Sequence, residues 1–364
     1  MCIKTKYYKM DQVPKEQKEY FESLIGHTPF SFFQNFTSRS NVFDYYKNYA
    51  MELIEHICKT INQEFVISYE YLINPKINAG CILDNNINKI MIFEGVVFSL
   101  YNYAHKLVAH YKTVNMKYKR EDAKGVKFFI NDIGDNLKLS TEIELSSNIE
   151  DNILAEYIAM LAVKFIINHE IGHILNGHLL YRSSCGEQKV EFHMTDSGDS
   201  PLNKIDLQCM EIDADSFAVC ELMSCIEKEL IYDQCLLEIV ESIDDIYKIA
   251  GCSIQCVFYL IGKLQDKWIV DTPECYSHPP VLTRVNLLLD VCREALGNDD
   301  KWAKVLLGCV IVERNLNDYF EFGNKNIDQF ILDIVGTNTY GEKLLETCRK
   351  LKVELQRFTN MPFV

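Results

Sequence analysis

The chain has 364 residues, 48% of them hydrophobic and 24% charged, and carries a formal net charge of −15 at pH 7. That length makes one large domain or two ordinary ones with a substantial buried core, and the composition excludes an intrinsically disordered chain. So acidic a protein repels phosphate backbones, which argues against nucleic acid as a partner; its best basic run, Lys117, Lys119 and Arg120, reads as a solvated loop.

In chain order, residues 14–26 and about 40–62 read as helices. In the second, Val42, Tyr46, Tyr49, Leu53 and Ile57 recur at three- and four-residue intervals and make one apolar face. Residues 64–73, rich in β-branched and aromatic side chains, read as a strand that stops at Asn74-Pro75. Ile77–Leu83 and Lys89–Phe93 follow as short strands around a turn at Asp84-Asn85-Asn86, and a helix is expected over Val96–Val114. Residues 116–150 are charged, with a strand at 126–131, and read as an insertion. From Asn152 the pattern is helical to about Leu180. Residues 182–206, with Gly186, Gly198 and Pro201, read as a loop before a helix over Leu207–Lys228. The remainder is helical, broken at Thr272-Pro273 and at His278-Pro279-Pro280. The expected class is α+β: a small antiparallel sheet early and helices after it. Three parts are expected: 1–150 with the sheet, 151–297 with the chemistry, and 298–364 as C-terminal helices.

The 14 cysteines are scattered and form no CxxC, so they read as reduced, buried hydrophobes in a reducing, cytoplasmic compartment. The N-terminal MCIKTKYYKMDQ lacks an apolar core of the signal-peptide kind. The longest apolar stretches, Ile153–Ile167 and Ile246–Ile261, read as too short or too charged to span a bilayer.

The chemistry centres on His169-Glu170-Ile171-Gly172-His173, an HExxH within the long helical stretch. Residues four apart on a helix differ by about 40° and one turn, so both imidazoles face one point. Neutral imidazoles there suit zinc, and Glu170 beside them can hold and deprotonate a water. Two histidines and a glutamate on a buried helix need partners, which a metal supplies. His178, nine residues after His169, falls on the far side of a continuous helix and misses the metzincin spacing, so it reads as a surface or helix-end residue. A third ligand is better sought in Glu211-Ile212-Asp213-Ala214-Asp215. There Glu211 and Asp215 share a face, and Ala214 and Ala218 allow a close helix approach. Glu211 would complete the site and Asp215 would accept from the free ring nitrogen of a ligating histidine. Asp213 points elsewhere and reads as solvated.

Taken together these residues resemble the gluzincin peptidases, in particular soluble relatives of the HtpX and CAAX-prenyl-protease group. Asn78-Ala79 with Ile90–Gly95 is similar to the strand pair before that group's active-site helix, and Ser277-His278-Pro279-Pro280 with Arg284 is similar to its HPPxxxR element. The soluble chain with HEIGH and ExxAD equally resembles the ImmA/IrrE-type regulatory peptidases and the Lit-type phage-exclusion proteases. The resemblance implies a zincin-like fold and a zinc-dependent endopeptidase acting on a specific intracellular protein; the acidic charge and the lack of an apolar anchor argue against nucleic acid and membrane as partners. On this reading Glu170 is the base. His278 donates to the oxyanion or shields the metal, and Arg284 anchors a carboxylate such as Glu211. The strand Lys89, Ile90, Met91, Ile92 and Phe93 would hold the substrate backbone by β-addition. Two rivals stand beside it: a catalytically quiet, zinc-bound scaffold, and a metal-dependent hydrolase of a non-peptide bond.

Overall fold

A computed structural model describes residues 28, 30–31, 42–61, 67–72, 76–110, 126–131, 140–146, 148–187, 190–194, 200–265, 273–319 and 339–359. The helix expected over 14–26 lies outside them. The first helix, α1 (Val42–Ile61), turns Val42, Tyr46, Ala50, Ile54 and Ile57 inward. Strands β1 (Ile67–Leu72), β2 (Ala79–Asp84) and β3 (Ile87–Phe93) follow. The β2–β3 hairpin turns on Asn85 and Asn86, both left-handed at φ 50° and 65°, a two-residue turn that matches the twist of its strands. Helix α2 (Glu94–His110) then crosses to a separate antiparallel pair, β4 (Val126–Asn131) and β5 (Ser140–Leu145).

Helix α3 (Ile149–Leu175) is the spine. The Asn148 side chain caps it by accepting from the Glu150 N–H, and Ser146, Asp151 and Asn152 lock the entry with side-chain hydrogen bonds. Among the described residues it is the one helix long and apolar enough to cross a membrane, contrary to the expectation from its charges, yet that stretch is wholly buried inside the protein. It stops at Asn176, where Gly177 takes φ +79°. A Cβ on Gly177 would lie 2.7 Å from the Phe358 carbonyl carbon, so the turn needs glycine for its backbone angle and for its neighbour. The chain restarts as α4 (His178–Ser184) and returns to the sheet as β6 (Val190–His193). Helices α5 (Lys204–Lys228), α6 (Gln234–Ile239), α7 (Asp244–Gln265), α8 (Val281–Leu296), α9 (Asp299–Tyr319) and α10 (Thr339–Leu355) complete the described chain.

The class is α+β and mostly helical, as expected, but the sheet differs. Its order is β1-β3-β2-β6, with β1 and β3 parallel and the other pairs antiparallel, so it is mixed. Its fourth strand lies in the stretch read as loop, because four residues between polar flanks are too short to show a period. The sheet therefore extends beyond residues 1–150. The buried hydrophobic residues form one cluster from Phe30 to Leu355. Two glycine contacts set the close helix crossings within it. A Cβ on Gly172 of α3 would meet Ala214 Cα of α5 at 3.2 Å, and one on Gly251 of α7 would lie 1.9 Å from Val305 O of α9.

Candidate active site

The crossing of α3 and α5 at Gly172 and Ala214 places the two motifs face to face. His169 and His173 turn their Nε2 atoms toward each other at 3.1 Å. The Glu211 carboxylate meets both, Oε2 3.6 Å from His169 Nε2 and Oε1 3.4 Å from His173 Nε2. These three donors, all within 4.8 Å of one another, could hold a metal ion. Two imidazoles and a carboxylate suit a divalent cation of borderline softness. Glu170 lies on the same turn, 1% exposed, and its Oε2 has no hydrogen-bond partner. The Cys81 thiol of β2, kept protonated by burial, contacts this carboxyl.

The charge environment is set by burial first. Burial raises Glu170 to about 7, with Glu211 adding to the effect against His169 and Arg284. Burial likewise takes His173 down to about 3, so it stays a neutral imidazole. His169 behaves oppositely: burial would lower it, but Asp215 and Glu211 raise it to about 10. Burial also opposes ionisation of Glu211, yet His278, His169, His173 and Arg284 hold it well below the usual carboxylate range.

A buried frame surrounds the three donors. His169 Nδ1 lies 2.9 Å from Asp215 Oδ1. Arg284 of α8 donates to Asp215 from both Nε and Nη2 at 2.8 Å, and its Nη2 lies 3.4 Å from Glu211 Oε2. The stiff loop before α8 brings His278 Nε2 to 3.6 Å from Glu211 Oε1. Gln208 of α5 anchors that loop by donating to the carbonyls of Pro273 and Tyr276 at 2.7 Å each. Thus His169, Glu170, His173, Glu211, Asp215, His278 and Arg284 gather in one place, each at most 9% exposed.

Three readings need correction. Strand Lys89, Ile90, Met91, Ile92 and Phe93 cannot add a substrate strand, because β3 is paired on both sides and has no free edge. His178 does sit at a helix end, as the first residue of α4, but it is fully buried and not at the surface: α3 ends at Leu175, so the angular argument that turned it away does not apply. Its Nδ1 lies 2.9 Å from His173 Nδ1 and its Nε2 lies 3.1 Å from Asp213 Oδ2. Asp213 is accordingly engaged and not simply solvated, and it also accepts from Asn176 Nδ2 at 2.6 Å. The signal that reveals this is Asn176-Gly177, a helix stop one residue before His178. Phe192 and Met194 were not anticipated either. Phe192 stacks on the His173 ring with centroids 3.9 Å apart, and Met194 lines a cavity of about 20 Å³ with His169, Glu170, Glu211 and Arg284.

No curated protein and no solved structure matches the chain. A family model does, over residues 95–306, more than half the chain and a span that holds every residue of the site except Cys81. A peptidase acts on peptide bonds, which accords with a buried carboxyl beside a metal-competent cluster; the chain belongs to the Peptidase U49 family.

Proposed function

We propose that this peptidase is a zinc-dependent endopeptidase of the gluzincin type, with a zincin-like arrangement of sheet and active-site helix. His169, His173 and Glu211 would hold the ion, and Glu170 would serve as general base. The observation that carries the reading is the convergence of those three donors beside a buried carboxyl with an unpartnered oxygen. Zinc held there would supply Lewis acidity to a peptide carbonyl. Glu170 takes the proton of the attacking water and passes it to the leaving amine. A buried carboxyl beside the water can serve both transfers. The cavity of about 20 Å³ beside it has room for one water. Asp215 and Arg284 keep the His169 ring in place. His278, beside Glu211, serves the developing oxyanion or covers the ligand cluster at rest.

Phe192 of β6 and Met194 just after it lie against the cluster, so a shift of this segment would widen the way in for a protein substrate. The substrate proposed is a specific intracellular protein, in a cytoplasmic setting without nucleic acid or membrane. The test is a metal analysis of the purified full chain together with digestion of a proteome-derived peptide library. Zinc near one per chain and cleavage lost on chelation are expected; cleavage unaffected by chelators would refute the reading.

A further inference from the structure

The two histidines of the cluster are steadied by different devices. His169 leans directly on a carboxylate, Asp215 Oδ1 at 2.9 Å. His173 leans on another histidine. Its Nε2 faces His169 and Glu211 at 3.1 and 3.4 Å, while its Nδ1 lies 2.9 Å from His178 Nδ1. We propose that His178 and Asp213 form a two-residue relay that fixes the tautomer and ring orientation of His173, making both positioning residues for the metal site. The inference rests on the zinc-peptidase reading.

Proton counting fixes the direction of the relay. A ligating Nε2 keeps its lone pair free, which puts the proton of neutral His173 on Nδ1. Two nitrogens 2.9 Å apart share one proton, so His178 Nδ1 accepts it. Neutral His178 then carries its own proton on Nε2 and donates to Asp213 Oδ2 at 3.1 Å. The opposite direction fails at the metal end whatever the charge of His178, and for a neutral His178 at the Asp213 end too. It would turn a His173 N–H toward the other two donors of the cluster, and a neutral His178 would also set a bare nitrogen against the Asp213 carboxylate. Asp213 therefore selects the His173 tautomer from two rings away. Asn176 holds that carboxylate by donating at 2.6 Å, and the left-handed Gly177 turns α4 so that His178 comes beneath α3. On its face, the His173 ring is stacked against Phe192 at 3.9 Å, so the relay and the stack together leave the ring one orientation. Partners of this kind, one contact removed from the metal, typically govern roughly 10–100-fold in affinity.

The test measures zinc affinity by chelator competition, and the visible spectrum of the cobalt-substituted protein, in the full chain. Circular dichroism checks that each variant is folded. His178→Phe keeps a ring but no acceptor and should weaken zinc binding about 10–100-fold, with a shifted cobalt spectrum. His178→Asn keeps an acceptor near the place of Nδ1 and should recover at least half of that loss on a logarithmic scale. Asp213→Ala, at a partly exposed position, should fall between wild type and His178→Phe. The relay is overturned if His178→Phe binds zinc within about twofold of wild type, or if His178→Asn is no better than His178→Phe. Wild type that binds no metal, with or without these changes, overturns the zinc reading itself and the relay with it.

Discussion

Arg284 is the point at which the site is most exposed to a single change. Three carboxyls, Glu170, Glu211 and Asp215, lie within the same buried cluster, and the Arg284 guanidinium meets two of them. Its Nε and Nη2 donate to Asp215 at 2.8 Å each, with the arginine side chain 3% and the aspartate 1% exposed. Replacing it by methionine keeps much of the volume and removes the charge. Asp215 then keeps only the His169 ring beside it, at 2.9 Å, or takes up a proton against its depressed pKa. Breaking a buried pair from one side costs about 3–5 kcal/mol, about a fifth or more of the roughly 5–15 kcal/mol that holds a typical domain together. Urea unfolding of the metal-free chain, followed by far-UV circular dichroism, measures the loss. Arg284→Met combined with Asp215→Asn removes both charges, so the double variant should lose at least about 2 kcal/mol less than the sum of the two single losses. A loss below about 1 kcal/mol for Arg284→Met, or strict additivity in the double variant, would refute the account of these carboxylates as a charge-balanced frame.

Glu211→Ala should lower zinc affinity more than Asp215→Ala does, since a direct ligand is lost in the first and roughly 10–100-fold in the second; the reverse order in a chelator competition would mean the roles are exchanged. His278→Ala should keep zinc, because the three donors remain. Turnover falls about 10²–10³-fold if His278 serves the oxyanion and rises if it covers the metal, and an unchanged rate removes it from both roles. Gly251→Ala forces a methyl into the Val305 carbonyl, 1.9 Å from the ideal Cβ, and should cost about 1–3 kcal/mol by overpacking, read as a lower thermal midpoint. Leu83 and Val190 sit opposite each other on β2 and β6, so Leu83→Cys with Val190→Cys can staple the strand that covers the site. The oxidised protein should keep its metal but cleave protein substrates about tenfold or more slowly until reduced, as gating by a covering segment requires; full activity in the oxidised form would show that β6 need not move.

Much of the site was legible because it is written at helical spacing. His169 and His173 meet because four residues make one turn and a little more, and Glu211 and Asp215 repeat that relation on α5. Ala214, which with Ala218 reads as room for a close helix approach, does lie at the crossing, and the structure adds Gly172 as its partner there. What escaped had no period to betray it. Strand β6 is four residues long and finds its place only through β2, which lies a hundred residues earlier. The parallel pairing of β1 with β3 is equally non-local, since nothing in Ile67–Leu72 distinguishes one neighbour from another. His178 was misplaced for a local reason: extending α3 through Gly177 turned the residue outward, whereas the left-handed glycine sends it back under His173. Substrate pairing through Lys89–Phe93 failed because the edge of a sheet is a property of the whole sheet, not of one strand.

The most direct test of the central claim is the cleavage rate per bound zinc of Glu170→Gln against wild type, measured on one peptide library with metal content determined in the same preparations. Gln keeps the size of the side chain and leaves His169, His173 and Glu211 untouched, so zinc should stay near one per chain while the rate falls by about a hundredfold or more. A Glu170→Gln protein that holds its zinc and cleaves at the wild-type rate would contradict the account.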